Sequence, residues 1–133
     1  MSIIRPFRAL RPAPDLASSI AALPYDVYSS AEARRIVEAE PMSFLKIDRA
    51  ETLLPEGTDL YCEKVYQTAR DTLEKMIQDA SFIQEETDCY YIYALTMNGR
   101  TQTGLVGCAS IDDYVNGVIL RHENTLEAKE LDR

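Results

Sequence analysis

The pair Asn98 and Gly99 restricts the fold of this chain more than any other local feature. It separates two segments, 89–97 and 100–111, that are rich in tyrosine, threonine and aliphatic side chains. An Asn-Gly pair most readily supplies the positive φ angles that a two-residue hairpin turn requires. The sequence therefore predicts an antiparallel β-hairpin over residues 90–111.

Two helices are predicted from end signals and from the spacing of apolar residues. Ser29 stands three residues before Glu32, as in a capping box, and Pro41 ends the segment, so a helix is expected over residues 30–40. A longer helix is expected over about 59–79, because apolar residues recur there every three or four positions. The stripe consists of Tyr61, Val65, Ala69, Leu73, Met76, Ile77 and Ala80. We expect this stripe to face the core.

Alternating side-chain character predicts shorter strands. A first strand is expected over residues 2–10, where Pro6 must lie at a sheet edge or a bulge because it has no N–H to donate. Residues 43–49 alternate between aliphatic side chains and other types, which favours a short, half-buried strand. Residues 112–119 indicate a short helical turn or connector.

These elements together predict an α/β fold of the α+β type. The hairpin and the 43–49 strand are expected to form one mixed sheet that the two helices cover. A chain of 133 residues buries roughly two thirds of the surface that its unfolded form exposes, which is enough for one core. We therefore expect a single domain over residues 1–133.

Charge and composition exclude several classes of function. The net charge of −8 repels a phosphate backbone and the basic residues are scattered, so nucleic acid is not an expected partner. Arginines interrupt the apolar N-terminal run and no segment has the length of a membrane span, so we expect a cytoplasmic protein. Cys62, Cys89 and Cys108 lack the close spacing of zinc or redox motifs and are expected to be buried free thiols.

Charged side chains are concentrated in residues 121–133, which read RHENTLEAKELDR and include the single histidine of the sequence. Asn124 opens a sequence that resembles a capping box, so a helix is expected from about Thr125. The start of a helix presents unpaired N–H groups and about half a positive charge. Arg121 and His122, just before it, are therefore suited to join those groups in binding a phosphate or a carboxylate.

Further groups in the same segment suit phosphoryl transfer. Thr125, Lys129 and Arg133 are four residues apart and share one helical face. Glu123 can act as a general base or bind magnesium. The alternative, on spacing alone, is a solvated helix whose ion pairs contribute only about 0.3 kcal/mol each. Spacing does not decide between the two.

A second candidate site lies in the segment LPYDVYSS. Pro24 presets the backbone there, and Asp26 lies on an expected loop between Tyr25 and Tyr28. The alternative is a turn in which Asp26 accepts local backbone hydrogen bonds. The sequence contains no P-loop, dinucleotide fingerprint, Ser-His-Asp order or metal-spaced histidine cluster.

The order of motifs along the chain resembles the N-terminal part of a large prokaryotic family, domain of unknown function 1015. The motifs are IRPFRALRP, LPYDVYSSAEA, PMSFLKIDR, YYIYALT, TGLVGCASIDDY and RHENTLEAKELDR, and the match covers essentially the whole chain. The family signature is R-H-E-x-T followed by K-E-x-D-R. It is matched here by Arg121, His122, Glu123, Thr125, Lys129, Glu130, Asp132 and Arg133.

This family resembles the ParB and sulfiredoxin-like nucleotide-binding superfamily, and some relatives are described as kinases of free L-serine. The resemblance implies an ATP-dependent small-molecule kinase that uses magnesium and acts on L-serine. Asp26, His122 and Glu123 are then the catalytic candidates, and they are expected to converge on one cleft. Arg121, Thr125, Lys129 and Arg133 are the candidates for binding substrate or phosphate.

The resemblance also implies that this chain is incomplete. Family members are much longer, and a D-G-H-H-R motif associated with the nucleotide phosphates has no counterpart in this sequence. We therefore expect an N-terminal fragment of a longer protein, with an incomplete ParB/sulfiredoxin-like domain that is inactive alone. Apolar surface exposed on such a fragment would favour self-association. The alternative function is a non-catalytic nucleotide-binding or protein-interaction module.

Overall fold

The computed structural model describes residues 4–120, which divide into two compact units. One unit contains residues up to 10 together with those from 84 onward, and the other contains 11–83. The α-helices are α1 (Ala17–Ile20), α2 (Ser30–Ala39), α3 (Leu45–Asp48), α4 (Glu63–Gln78) and α5 (Ile111–Val115). The strands are β1 (Ile4–Arg5), β2 (Leu10–Pro12), β3 (Phe82–Gln84), β4 (Tyr91–Met97), β5 (Arg100–Val106) and β6 (Cys108–Ala109). Short 3₁₀ helices span Tyr25–Val27 and Ala50–Leu53.

The predicted hairpin is confirmed as β4 and β5. The two strands pair antiparallel, with Tyr91 opposite Val106 and Met97 opposite Arg100. Asn98 and Gly99 form the turn with φ angles of 52° and 74°. Because both angles are positive, the turn needs the residues most tolerant of that conformation, as the sequence predicted.

The first unit contains other strand pairs close to the hairpin. β1 pairs antiparallel with β6, and Phe7 forms an isolated bridge to Cys89. The Tyr91 hydroxyl accepts a hydrogen bond from the Ala9 N–H at 2.8 Å and donates one to the Phe7 carbonyl at 3.0 Å. The predicted strand over 2–10 is thus interrupted, and its described part forms the separate strands β1 and β2. Pro6 lies in the break, where it removes no ladder hydrogen bond.

Helix α2 begins with the predicted capping box. The Ser29 hydroxyl accepts a hydrogen bond from the Glu32 N–H at 3.4 Å, and a Glu32 carboxylate oxygen accepts one from the Ser29 N–H at 2.9 Å. These bonds satisfy two amides that the helix itself leaves free. The hydrogen bonds from the Ser29 side chain and backbone lower the pKa of Glu32. The helix ends at Ala39, before Pro41, as predicted.

The strand predicted over 43–49 is wrong, because this segment contains the single-turn helix α3. The buried Ser43 hydroxyl accepts a hydrogen bond from the Leu45 N–H at 3.3 Å, which supports the first turn. Leu45 is fully buried against Ala33 and Val37 of α2. Burial of this one leucine therefore decides the local structure, and the short alternation does not.

The loss of that strand also removes the predicted mixed sheet. Over residues 4–120 the strands form three two-stranded sheets, β1 with β6, β2 with β3, and β4 with β5. The combination of small sheets with five helices still confirms the α+β class. A single domain over residues 1–133 stays a prediction.

Helix α4 is confirmed with a later start than expected, at Glu63 in place of residue 59. Asp59 instead accepts a hydrogen bond from the Tyr61 N–H at 3.1 Å in the turn before the helix. Met76 of α4 joins Ile20 and Phe82 in one buried cluster, and Leu73 packs against it. Other members of the predicted stripe, including Tyr61 and Ile77, are exposed. Only part of the stripe therefore faces the core.

Three further predictions concern the described residues. Helix α5 confirms the predicted turn near residues 112–119. The three cysteines are free thiols as expected, but the prediction that they are buried is wrong, since Cys62 and Cys89 are half-buried and Cys108 is exposed. No helix within residues 4–120 combines the length and apolar character needed to cross a membrane.

Candidate functional site

Asp26 is the one predicted site residue that lies within residues 4–120. It is exposed in the 3₁₀ helix Tyr25–Val27, which Pro24 precedes with φ −51°. The Val27 N–H donates to the Pro24 carbonyl at 3.2 Å and closes the turn. Within the described part of the chain, the Asp26 carboxylate accepts no hydrogen bond. The alternative of an Asp that stabilises its own turn is therefore not seen there.

The segment around Asp26 is fixed by Arg49, which sequence reasoning did not single out. The Arg49 guanidinium donates to the Tyr25 carbonyl at 3.2 Å and to the Tyr28 carbonyl at 2.9 Å. It also donates to the Ser30 hydroxyl at 2.7 Å. These bonds reach the residues on both sides of Asp26, so we call Arg49 and its acceptors the Arg49 clamp.

Glu51 completes the Arg49 clamp. One of its carboxylate oxygens accepts a hydrogen bond from Arg49 Nε at 2.6 Å, which is also an ion pair. The two side chains are 14% and 9% exposed, so the pair is largely shielded from water. Charge-assisted hydrogen bonds in such surroundings are strong and directional. The clamp therefore holds the turn in place and leaves the Asp26 carboxylate open to solvent.

A second arginine stabilises the segment that carries Glu51. Arg34 of α2 donates to the carbonyls of Thr52 at 2.6 Å, Leu54 at 3.0 Å and Glu51 at 3.1 Å. A cavity of about 540 Å³ lies beside these bonds, lined in part by Arg34 and Thr58. Because the Arg34 guanidinium donates hydrogen bonds to three carbonyls, it links α2 to the 50–54 segment.

A comparison with known proteins shows the same family that the order of motifs resembles. A family described as "Protein of unknown function (DUF1015)" matches residues 4–133. The chain belongs to the DUF1015 family. No curated protein and no solved structure matches the chain.

The other predicted site residues of this DUF1015 chain lie outside the described residues. They are Arg121, His122, Glu123, Thr125, Lys129 and Arg133, and the helix expected from about Thr125 lies there as well. Their roles, and the expected convergence of His122 and Glu123 with Asp26, stay predictions.

Within residues 4–120, no three His, Cys, Asp or Glu side chains are grouped so that they could hold a metal ion. The predicted magnesium contact of Glu123 falls outside that range.

The sequence of the DUF1015 chain gives little indication of the Arg49 clamp. Its acceptors at Tyr25 and Tyr28 are 24 and 21 residues away along the chain. Every residue type has a backbone carbonyl, so neither residue identity nor spacing could reveal these acceptors. The available signal was the motif PMSFLKIDR, whose last residue is Arg49.

Proposed function

We propose that the DUF1015 chain is part of an ATP-dependent kinase that phosphorylates a free small molecule, L-serine. The observation that carries the proposal is the signature R-H-E-x-T followed by K-E-x-D-R in residues 121–133, within a chain that belongs to this family. The reaction comes from the resemblance of the family to ParB and sulfiredoxin-like nucleotide-binding proteins, whose relatives include described serine kinases.

The proposed roles follow from the needs of phosphoryl transfer, which depends mostly on positioning and electrostatic stabilisation. Glu123 accepts the proton of the serine hydroxyl or holds magnesium. Arg121 and His122 bind a phosphate or the substrate carboxylate, and Lys129 binds a phosphate of the nucleotide. Thr125 and Arg133 lie on the same predicted helical face as Lys129 and contribute further donors.

The geometry around Asp26 supports a role in the same reaction. Its carboxylate is exposed and accepts no hydrogen bond from the described residues, while the Arg49 clamp holds the turn around it. Reactive groups on loops that a rigid scaffold positions are typical of enzyme sites. A structural carboxylate would instead be expected to cap or pair locally.

An assay for O-phosphoserine tests the proposal. The product of the complete gene and residues 1–133 alone are each incubated with ATP, magnesium and free L-serine, and products are analysed by mass spectrometry. We expect O-phosphoserine from the complete protein and none from residues 1–133. Absence of product across a panel of small hydroxyl substrates, with ADP also tried as donor, would overturn the kinase proposal.

One observation favours the second candidate, a module that binds other proteins. The β4–β5 hairpin is exposed on both faces and carries one charged residue, Arg100. Leu95 and Met97 share one face with 54% and 76% of their surface exposed, and Ile92 on the other face is 75% exposed. An isolated two-stranded hairpin is only marginally stable in water. Contiguous exposed apolar surface of this kind is typical of interaction sites.

We predict that residues 1–133 self-associate through this hairpin. Replacing Leu95 and Met97 together by lysine should return the protein to monomers, because two charges then resist burial. Static light scattering over a range of protein concentrations measures the average mass. Gln67→Lys together with Gln78→Lys is the matched control, because both residues are exposed on α4 and the two charges are added outside the hairpin. A monomer at every concentration before any substitution would contradict this prediction.

A further inference from the structure

A small cavity of about 260 Å³ lies within the unit of residues 11–83. Its walls are the segment 18–23, the C-terminal end of α2 and the start of α3, and Tyr28 also borders it. The Phe44 N–H donates to the Ile20 carbonyl at 2.8 Å and so ties two of these walls together. Ligand pockets usually have volumes of about 300–1,000 Å³, so this cavity suits only a small molecule.

Hydroxyl groups with unused hydrogen-bonding capacity line the cavity. Ser43 is 2% exposed, and its hydroxyl accepts a hydrogen bond from the Leu45 N–H at 3.3 Å but donates none to any described residue. The hydroxyls of Ser18, Ser19 and Tyr28 likewise form no hydrogen bond with the described part of the chain. A buried hydroxyl normally finds an acceptor in the protein or in a bound molecule.

Among the described residues, Glu40 alone brings a charged side chain to the cavity wall. It is the C-cap residue of α2, and its carboxylate forms no hydrogen bond or ion pair within residues 4–120. Lys46 does not neutralise it, because the charged groups that affect the pKa of Lys46, which burial lowers, are Asp79 and Lys75. The cavity is therefore locally negative.

Hydrogen-bond acceptors outnumber donors along the backbone of the same cavity. The carbonyls of Ala21, Ala22 and Leu23 accept no hydrogen bond from the described residues, against free N–H groups at Ala22 and Leu23 alone in this segment. An ionised carboxylate and a carbonyl can only accept, whereas a hydroxyl can donate or accept. Ile36 adds apolar surface. A ligand that matches this wall carries several N–H donors, a positive charge and a short carbon chain.

We propose that this cavity binds a small primary ammonium compound. The ammonium group donates a charge-assisted hydrogen bond to the Glu40 carboxylate and further bonds to hydroxyl or carbonyl oxygens of the wall. Its carbon chain packs against Ile36 and Leu23. A quaternary ammonium ion has the same charge but no N–H group, so it does not make these bonds. The proposal does not depend on kinase activity.

Nuclear magnetic resonance of methyl groups in the complete protein tests the proposal. Ethylammonium chloride is titrated in against sodium chloride at constant ionic strength. We expect saturable shifts of the Ala22 and Leu23 methyl signals and none at Leu60, which lies outside the cavity. Tetramethylammonium chloride should cause no saturable shift. Equal responses to the two ammonium ions, or no saturable response to ethylammonium, would contradict the proposal.

Glu40→Gln removes the carboxylate of the cavity without breaking a side-chain bond to any described residue. We expect it to weaken ethylammonium binding about tenfold, the effect of losing roughly 1.4 kcal/mol of interaction. Glu38→Gln is the matched control, because Glu38 is exposed on α2 outside the cavity and the net charge changes equally. Its affinity for ethylammonium should match that of the unmodified protein. Equal weakening by the two substitutions would show an effect of overall charge and overturn the site.

Discussion

Replacing Glu123 by glutamine in the complete protein should lower the turnover of L-serine on the order of a hundredfold or more. Glutamine keeps the size and shape of the side chain but removes both the proton acceptor and the negative charge that attracts magnesium. Binding of L-serine through Arg121 and His122 should persist. The main effect is therefore expected in kcat, while KM for L-serine changes little.

The control for this experiment is Glu127→Gln, which makes the same chemical change four positions away and outside the signature. We expect its turnover to match that of the unmodified protein. Circular dichroism and thermal denaturation should show that both variants keep the fold. If Glu123→Gln does not change O-phosphoserine formation, the kinase proposal stands but the role of Glu123 is contradicted, and another residue is the base.

Replacing Arg49 by methionine should lower the free energy of unfolding by about 3 kcal/mol, because Glu51 is then left buried without its partner. The same change removes the hydrogen bonds to Tyr25, Tyr28 and Ser30. Methionine has a similar length and retains apolar packing, so the effect reports mainly on the lost bonds. Urea denaturation monitored by circular dichroism measures the change.

Arg35→Met is the matched control for the Arg49 clamp. Arg35 is an exposed residue of α2 that forms no hydrogen bond or ion pair within residues 4–120. Its replacement should change stability by no more than about 0.5 kcal/mol. Adding Glu51→Gln to Arg49→Met should recover part of the loss, because no unpaired charge remains buried. Similar stability of the two arginine variants would contradict the clamp.

Elements specified by neighbouring residues were predictable from the sequence. The hairpin follows from Asn98 and Gly99, whose positive φ angles the turn requires. Helix α2 follows from Ser29 and Glu32, which bond to each other across three residues. In both cases the determining interaction lies within one turn of chain, so residue identity and spacing contain the information.

Elements decided by distant contacts were not predictable in this way. Alternation over 43–49 favoured a strand, but the burial of Leu45 against α2 selects a single helical turn. The bonds from Arg49 depend on carbonyls more than twenty residues away. Asp26 could be identified as a candidate because Pro24 and the tyrosines indicated a loop, whereas the group that holds that loop could not.

The most direct measurement of the proposed function compares ADP and O-phosphoserine in one reaction followed by phosphorus nuclear magnetic resonance. A kinase transfers each phosphoryl group from ATP to the serine hydroxyl. The account predicts that ADP forms only when L-serine is present and that each ADP is matched by one O-phosphoserine. ADP formation that is independent of L-serine, or no conversion of ATP by the complete protein, would contradict it.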